Sequence, residues 1–258
     1  MKNITKHIPN ILTCTSLAFG FYAAILGISG NYSGAMIAIF IASVFDFADG
    51  FAARLLKAYS PLGKELDSLA DLVSFGVAPG MMLFSFIDKL LYSLSWNESW
   101  ICKLLLLSAF AIPIFSALRL AKFNIDTRQT TSFLGLPVPA HAIFWSALIV
   151  TVSSITSSCN IFNGVLPLTQ LITSIPNEAQ IIILPVIAIA SSLLLVSEIP
   201  MFSLKISSLR WKDAKLQYIL IISAIILITL FGAIGISATI LLYILLSVIN
   251  RRTTTNRR

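Results

Sequence analysis

Four aspartates stand inside an otherwise apolar stretch, and few chains can fold around such an arrangement. They form the array Asp46-x2-Asp49-Gly50-x2-Ala53-Arg54-x8-Gly63-x3-Asp67-x3-Asp71, flanked by the apolar runs Ile37 to Phe45 and Leu72 to Phe86. An ionised carboxylate deep in a bilayer costs about 2.5–3.5 kcal/mol on insertion scales, so four facing lipid would cost roughly 10 kcal/mol. They must therefore face each other, water or cations. Clustered carboxylate oxygens are the donors preferred by Mg²⁺ and Mn²⁺.

The surrounding composition is that of a membrane protein. Of the 258 residues, 57% are hydrophobic and only 11% charged, against about 25% charged in soluble domains. Mean hydropathy is +0.90. A spanning helix needs about 20 apolar residues. The pattern predicts an all-α, polytopic bundle of eight spans near residues 11–29, 33–56, 66–87, 100–121, 139–157, 179–197, 216–232 and 234–250. The last two are separated only by Gly232 to Gly235. The positive start followed by an apolar run resembles a signal peptide. It lacks a small-residue cleavage site, so it is read as the first span.

Basic residues predict the orientation. Lys2 and Lys6 precede the first span, and Arg54, Lys57 and Lys64 join the second to the third. Arg119, Lys122 and Arg128 follow the fourth, Lys205, Arg210, Lys212 and Lys215 the sixth, and Arg251, Arg252, Arg257 and Arg258 end the chain. Sixteen of the 18 Lys and Arg residues thus share one side, leaving Lys89 and Lys103 on the other. The positive-inside rule makes both termini and the loop of the acidic array cytoplasmic. Spread over loops and a tail, the net charge of +7 indicates topology and attraction to anionic lipid, not nucleic acid. Cys14, Cys102 and Cys159 lack metal-ligand spacing, and Cys102 and Cys159 are not expected to pair. His7 and His141 are expected at the membrane interface.

Helical geometry gathers the array. Asp46, Asp49, Gly50 and Ala53 lie at i, i+3, i+4 and i+7, and Gly63, Asp67 and Asp71 at i, i+4 and i+8, so each set forms one stripe. Ser60-Pro61 reads as an N-cap and first turn. The short connection from Leu55 to Tyr59 makes the two helices antiparallel neighbours, with four carboxylates in one cleft. Cations between them would relieve their repulsion, and a pair of divalent ions is a clamp for phosphoryl transfer. Gly50, Ala53 and Gly63 serve either close helix packing or a ligand that approaches the backbone.

The array resembles, position for position, the motif of the CDP-alcohol phosphatidyltransferase family, with eight fixed residues across 26 positions. The resemblance implies a six-helix catalytic core over residues 1–200. Residues 201–258 would add two further spans and a basic tail. It implies transfer of a phosphatidyl group from CDP-diacylglycerol to an alcohol, with release of CMP. Asp46, Asp49 and Asp67 would ligate two Mg²⁺ or Mn²⁺ ions, and Asp71 would touch one and act as general base. Asn10, Thr13, Gly50, Ala53, Arg54, Ser60 and Gly63 would contact the CDP-lipid. It also implies a homodimer and a bacterial inner membrane.

The acceptor is narrowed by a second region. Arg119 and Lys122 share a helix face at i, i+3, where they serve an anionic acceptor, the lipid phosphate or topology alone; Asn124 adds a polar wall. Ala117 to Asn124, Phe133 to Ala140, Ser74 to Pro79 and Ile199 to Lys205 resemble the serine-accepting branch of the family, which implies L-serine as acceptor. Glycerol 3-phosphate or an inositol phosphate would call for more clustered Arg or Lys. A cation transporter would use the aspartates but would leave Gly50, Ala53, Arg54 and the gap to Gly63 without a role. The last two spans are apolar without chemical signature.

Overall fold

The computed structural model describes residues 7–96, 99–125, 133–153, 175–202 and 215–255. Cys159, Arg128 and the 203–205 part of the serine-branch likeness fall outside these residues. The described residues form eight helices: α1 (Ile8–Ser29), α2 (Tyr32–Leu55), α3 (Pro61–Ser93), α4 (Trp100–Ile125), α5 (Val138–Ser153), α6 (Asn177–Val196), α7 (Lys215–Phe231) and α8 (Ala233–Thr255). Six are long and apolar enough to cross a membrane, α5 and α7 being shorter at 16 and 17 residues. The chain is an all-α polytopic bundle, as its hydropathy predicts.

Helix α3 departs most from the expected bounds. It begins at Pro61, because the Ser60 hydroxyl accepts the Gly63 N–H at 3.0 Å and Pro61 sits in the first turn. Its 33 residues extend about 50 Å, well beyond a hydrocarbon core of about 30 Å. The surplus is the polar turn that carries Lys64, Glu65 and Asp67. Directly after Asp71 the helix widens into a π-helical stretch, Leu72–Val77. Pro79 follows, with no N–H to give the carbonyl four residues back, and wider hydrogen-bonding absorbs such a defect. Between α7 and α8, Gly232 takes φ 63°, which separates the two apolar runs into distinct helices.

Close helix contacts rest on small residues and hydroxyls, as expected where lipid gives no hydrophobic drive between helices. Ser16 donates to the Ala42 carbonyl at 2.9 Å, and Ser74 to that of Ser16 at 3.1 Å. These bonds tie α1 to α2 and α3. A Cβ on Gly20 would overlap Ser74, and one on Gly80 would come within 2.9 Å of Pro113. Ser237 of α8 donates to the Phe144 carbonyl of α5 at 2.9 Å.

A two-stranded strap lies outside the helices. In it, β1 (Phe133–Leu134) pairs antiparallel with β2 (Pro200–Met201), Phe133 opposite Met201. Gly135 takes φ 76° and donates to the Ile199 carbonyl at 3.0 Å, while Leu136 donates to that of Leu194 at 3.1 Å. A Cβ on Gly135 would overlap the Leu195 carbonyl, so the turn into α5 is stapled to the end of α6.

His141 corrects the expectation of an interfacial site. It is fully buried, with Nε2 3.0 Å from Ser191 Oγ, and the Trp145 indole N–H lies 3.1 Å from both atoms. Partners on α6 and one turn along its own helix make an internal position tolerable. His7 is exposed directly before α1, and Cys14 and Cys102 are free thiols.

Gly20→Leu is expected to cost about 1–3 kcal/mol through overpacking against Ser74. In detergent this lowers the thermal unfolding midpoint by several degrees. Gly50→Ala, whose Cβ meets nothing within 4 Å, leaves the midpoint unchanged.

Candidate active site

Helices α2 and α3 run antiparallel from the connection at residues 56–60 and turn their aspartate stripes together. One carboxylate oxygen from each of Asp46, Asp49 and Asp67 lies within 4.8 Å of the others. Asp71 follows one turn beyond Asp67 on the same helix stripe. Asp49 is buried and the other three are half-buried. Asp46, Asp49 and Asp67 therefore form one cluster, and Asp49 and Asp67 line the cleft beside it.

A third helix orients the cluster. The Thr13 hydroxyl of α1 donates to Asp49 Oδ2 at 2.6 Å, a charge-assisted bond that fixes one carboxylate. Carboxylates this close need a proton or a cation between them. An all-oxygen donor set with one ligand oriented from behind fits a hard divalent cation. Asp46, Asp49 and Asp67 could hold a metal ion, with Asp71 beside it.

Against the cluster opens a cleft of about 190 Å³. Six of the seven residues expected to meet the CDP-lipid line it: Asn10, Thr13, Gly50, Ala53, Ser60 and Gly63. Gly50 decides between the two uses of small residues. Nothing lies within 4 Å of a Cβ built on it, so it leaves space and packs against no helix. At Gly63 a Cβ would come within 3.1 Å of the Asn10 Oδ1 and 3.0 Å of Ser60 Oγ, so this glycine lets α1 approach the N-cap. Arg54 is not part of the wall. It is exposed, and its Nε donates back to the Gly50 carbonyl at 3.0 Å.

The residues expected to bind the acceptor separate. Arg119 is half-buried, within electrostatic reach of Asp71, with its guanidinium 5.4 Å from the Phe123 ring centroid. Lys122 points elsewhere and forms a surface ion pair with Glu198 at 4.0 Å. Asn124 links helices: its amide donates to Ser68 Oγ at 2.9 Å, and its carbonyl accepts from Lys64 Nζ at 3.2 Å. Lys64 and Tyr59 also line the cleft and were not singled out from the sequence. Lys64 follows Gly63 directly, which was the available signal, but it also reads as a topology charge. Ser116, one turn before Arg119, is fully buried with an unpartnered hydroxyl.

A helical membrane bundle with a carboxylate cluster set against an open cleft has the layout of a metal-dependent site. Comparison with known proteins makes the class specific. The family model for CDP-alcohol phosphatidyltransferase matches residues 6–176, and the chain belongs to that family. It is 39% identical over 134 residues to the CDP-diacylglycerol–serine O-phosphatidyltransferase of Bacillus subtilis, covering 52% of this chain and 70% of that protein. It is 32% identical over 154 residues to the archaetidylserine synthase of Methanothermobacter thermautotrophicus, covering 58% and 61%. A CDP-diacylglycerol–serine O-phosphatidyltransferase of Helicobacter pylori is 35% identical over 137 residues, covering 52% and 54%. The matched stretch thus spans from about half to 70% of these relatives.

Thr13→Val removes the bond that orients Asp49 while keeping its bulk. Loss of such an outer partner typically weakens metal binding about 10–100-fold. A Mn²⁺ titration followed by electron paramagnetic resonance is expected to show a weakening of about tenfold or more.

Proposed function

We propose that the chain transfers the phosphatidyl group of CDP-diacylglycerol to the hydroxyl of L-serine, releasing CMP and forming phosphatidylserine. The observation that carries this reading is the cluster of Asp46, Asp49 and Asp67, of which Asp49 and Asp67 line a cleft that Gly50 leaves open. Family membership and the names of the relatives supply the donor and acceptor classes. In this reading residues 1–200 form the catalytic core, and the site lies at the cytoplasmic rim of a bacterial inner membrane. A homodimer completes the reading, with no role for nucleic acid.

Asp46, Asp49, Asp67 and Asp71 would hold two divalent cations, Mg²⁺ or Mn²⁺. Bound there, such ions supply neutralisation of the pyrophosphate and of charge developing on the CMP leaving oxygen. The chain's own residues do the rest. Asn10, Thr13, Ala53, Ser60 and Gly63 shape the wall against which the CDP-lipid lies, and Gly50 leaves the backbone approachable. Arg54, anchored on the Gly50 carbonyl, presents a permanently charged fork at the rim for phosphate oxygens. Asp71 takes the proton of the acceptor hydroxyl as its oxygen bonds to the lipid-side phosphorus and the bond from that phosphorus to CMP breaks. Arg119, in reach of Asp71, receives the serine carboxylate, so hydroxyl and carboxylate are held at adjacent groups. Lys122 and Asn124 support this end of the pocket from outside, through Glu198, Lys64 and Ser68.

A phosphorylated acceptor such as glycerol 3-phosphate or an inositol phosphate would bring a dianion. Among the described residues, Arg119 stands in reach of Asp71 without Lys122 beside it, which favours a single carboxylate. A cation-transport role finds no use for the cleft at Gly50.

Two measurements test this reading. Purified protein with labelled CDP-diacylglycerol is expected to give product and CMP with serine, far more than with glycerol 3-phosphate, and none with a chelator. Preference for the phosphorylated acceptor would overturn the serine assignment. Asp71→Asn is expected to lower kcat by about 100-fold or more, the usual scale for loss of a general base, while CDP-diacylglycerol binding is largely kept. Near-normal turnover in that variant would remove Asp71 as the base.

A further inference from the structure

In the donor reading above, the cleft receives a pyrophosphate, yet its wall offers little positive charge. Among the residues lining it, Lys64 is the one Lys or Arg, at a position the family motif leaves unspecified. We infer that Lys64 is a further donor-binding residue: its ammonium holds a phosphate oxygen of the CDP-lipid, from a station fixed by the end of α4. This deepens the donor reading and rests on it.

A ring of hydrogen bonds makes the station. Lys64 Nζ donates to the Asn124 carbonyl at 3.2 Å, and the Asn124 amide donates to Ser68 Oγ at 2.9 Å. The Ser68 hydroxyl in turn donates to the Lys64 carbonyl at 3.3 Å. The ring closes on itself and joins the start of α3 to the last turn of α4. A lysine free in solvent loses much rotamer freedom when it grips a ligand. Here part of that cost is met in folding, which is how preorganised groups gain affinity.

The ammonium keeps capacity for a ligand. It has three N–H donors, and the Asn124 carbonyl accepts one. No carboxylate neutralises it: among the described residues the one ion pair is that of Lys122 with Glu198. Its place in the chain also speaks for an anion. Lys64 closes the first turn of α3, where the helix dipole is positive and disfavours a cation. A phosphate oxygen beside the ammonium offsets that penalty. Topology alone asks for positive charge in the connecting loop, not for a side chain bonded to another helix at the cleft wall. Lysine suits the task, since a point charge meets a single phosphate oxygen without the planar match that Arg requires.

The test is Lys64→Met, which keeps the length of the stem and removes the charge. With Mg²⁺ and serine saturating, the KM for CDP-diacylglycerol is expected to rise about tenfold, the scale for losing a hydrogen bond to a charged group. The serine KM, and kcat at saturating donor, should stay within about twofold. Lys64→Arg restores the charge and should hold the donor KM within about threefold of the unmodified protein. In detergent the unfolding midpoint of either variant should move by no more than about 2 °C, as for other exposed side chains. An unchanged donor KM in Lys64→Met overturns the inference, as does an equal rise in both Michaelis constants or a rise that Lys64→Arg does not relieve. A midpoint lowered by several degrees with the donor KM unmoved would make Lys64 a tie between helices and overturn it as well. In each of those cases turnover of CDP-diacylglycerol by the unmodified protein would leave the proposed function standing. Absence of CMP release from CDP-diacylglycerol by the unmodified protein would overturn both.

Discussion

Mutual repulsion among four carboxylates in a low-dielectric setting is the constraint around which this bundle is built. Like charges a few ångströms apart attract protons or cations and exclude lipid. That demand explains why Asp46, Asp49, Asp67 and Asp71 occupy matched stripes on adjoining antiparallel helices. It also explains why Thr13 reaches across from α1 to hold Asp49. The space beside them is open at Gly50, where nothing lies within 4 Å of a built Cβ.

The scaffold that resists this repulsion is made of very small parts. Ser16, Ser74 and Ser237 hydroxyls bond to carbonyls of neighbouring helices, and Gly20 and Gly80 let backbones come together. Such contacts are individually modest in membranes, about 0.6 kcal/mol on average for hydrogen bonds in one well-studied bundle. Their merit is geometric. Short side chains have few rotamers, so helices joined through them hold their stripes in fixed register. The two kinds of glycine divide by position: those facing a neighbouring helix close a gap, and Gly50 keeps one open.

Local spacing made much of the site legible. The i, i+3, i+4, i+7 pattern from Asp46 to Ala53 and the Ser60-Pro61 cap are short-range signals, and both helices follow from them. Long-range consequences were hidden. Arg119 and Lys122 have equivalent spacing on paper, yet Arg119 turns into the bundle while Lys122 meets Glu198, a partner far along the chain. The burial of His141 depends on Ser191 of another helix. The strap pairs two-residue strands too short to show a period. Arg54 shows that a motif residue can be placed by its spacing while its side-chain direction stays open.

The wide π-helical stretch from Leu72 to Val77 also acts as a phase shifter. In a regular helix each residue advances the angle by about 100°, so the faces before and after a defect are set by the residue count within it. Here the N-terminal half of α3 presents Asp67 and Asp71 to α2, while Gly76 and Gly80 are turned to Ser116 and Pro113 of α4. Deleting one residue between 72 and 77 would rotate one half against the other, and chemistry and packing could no longer both be in register. Sequence drift in this segment is therefore constrained in length as well as in residue type.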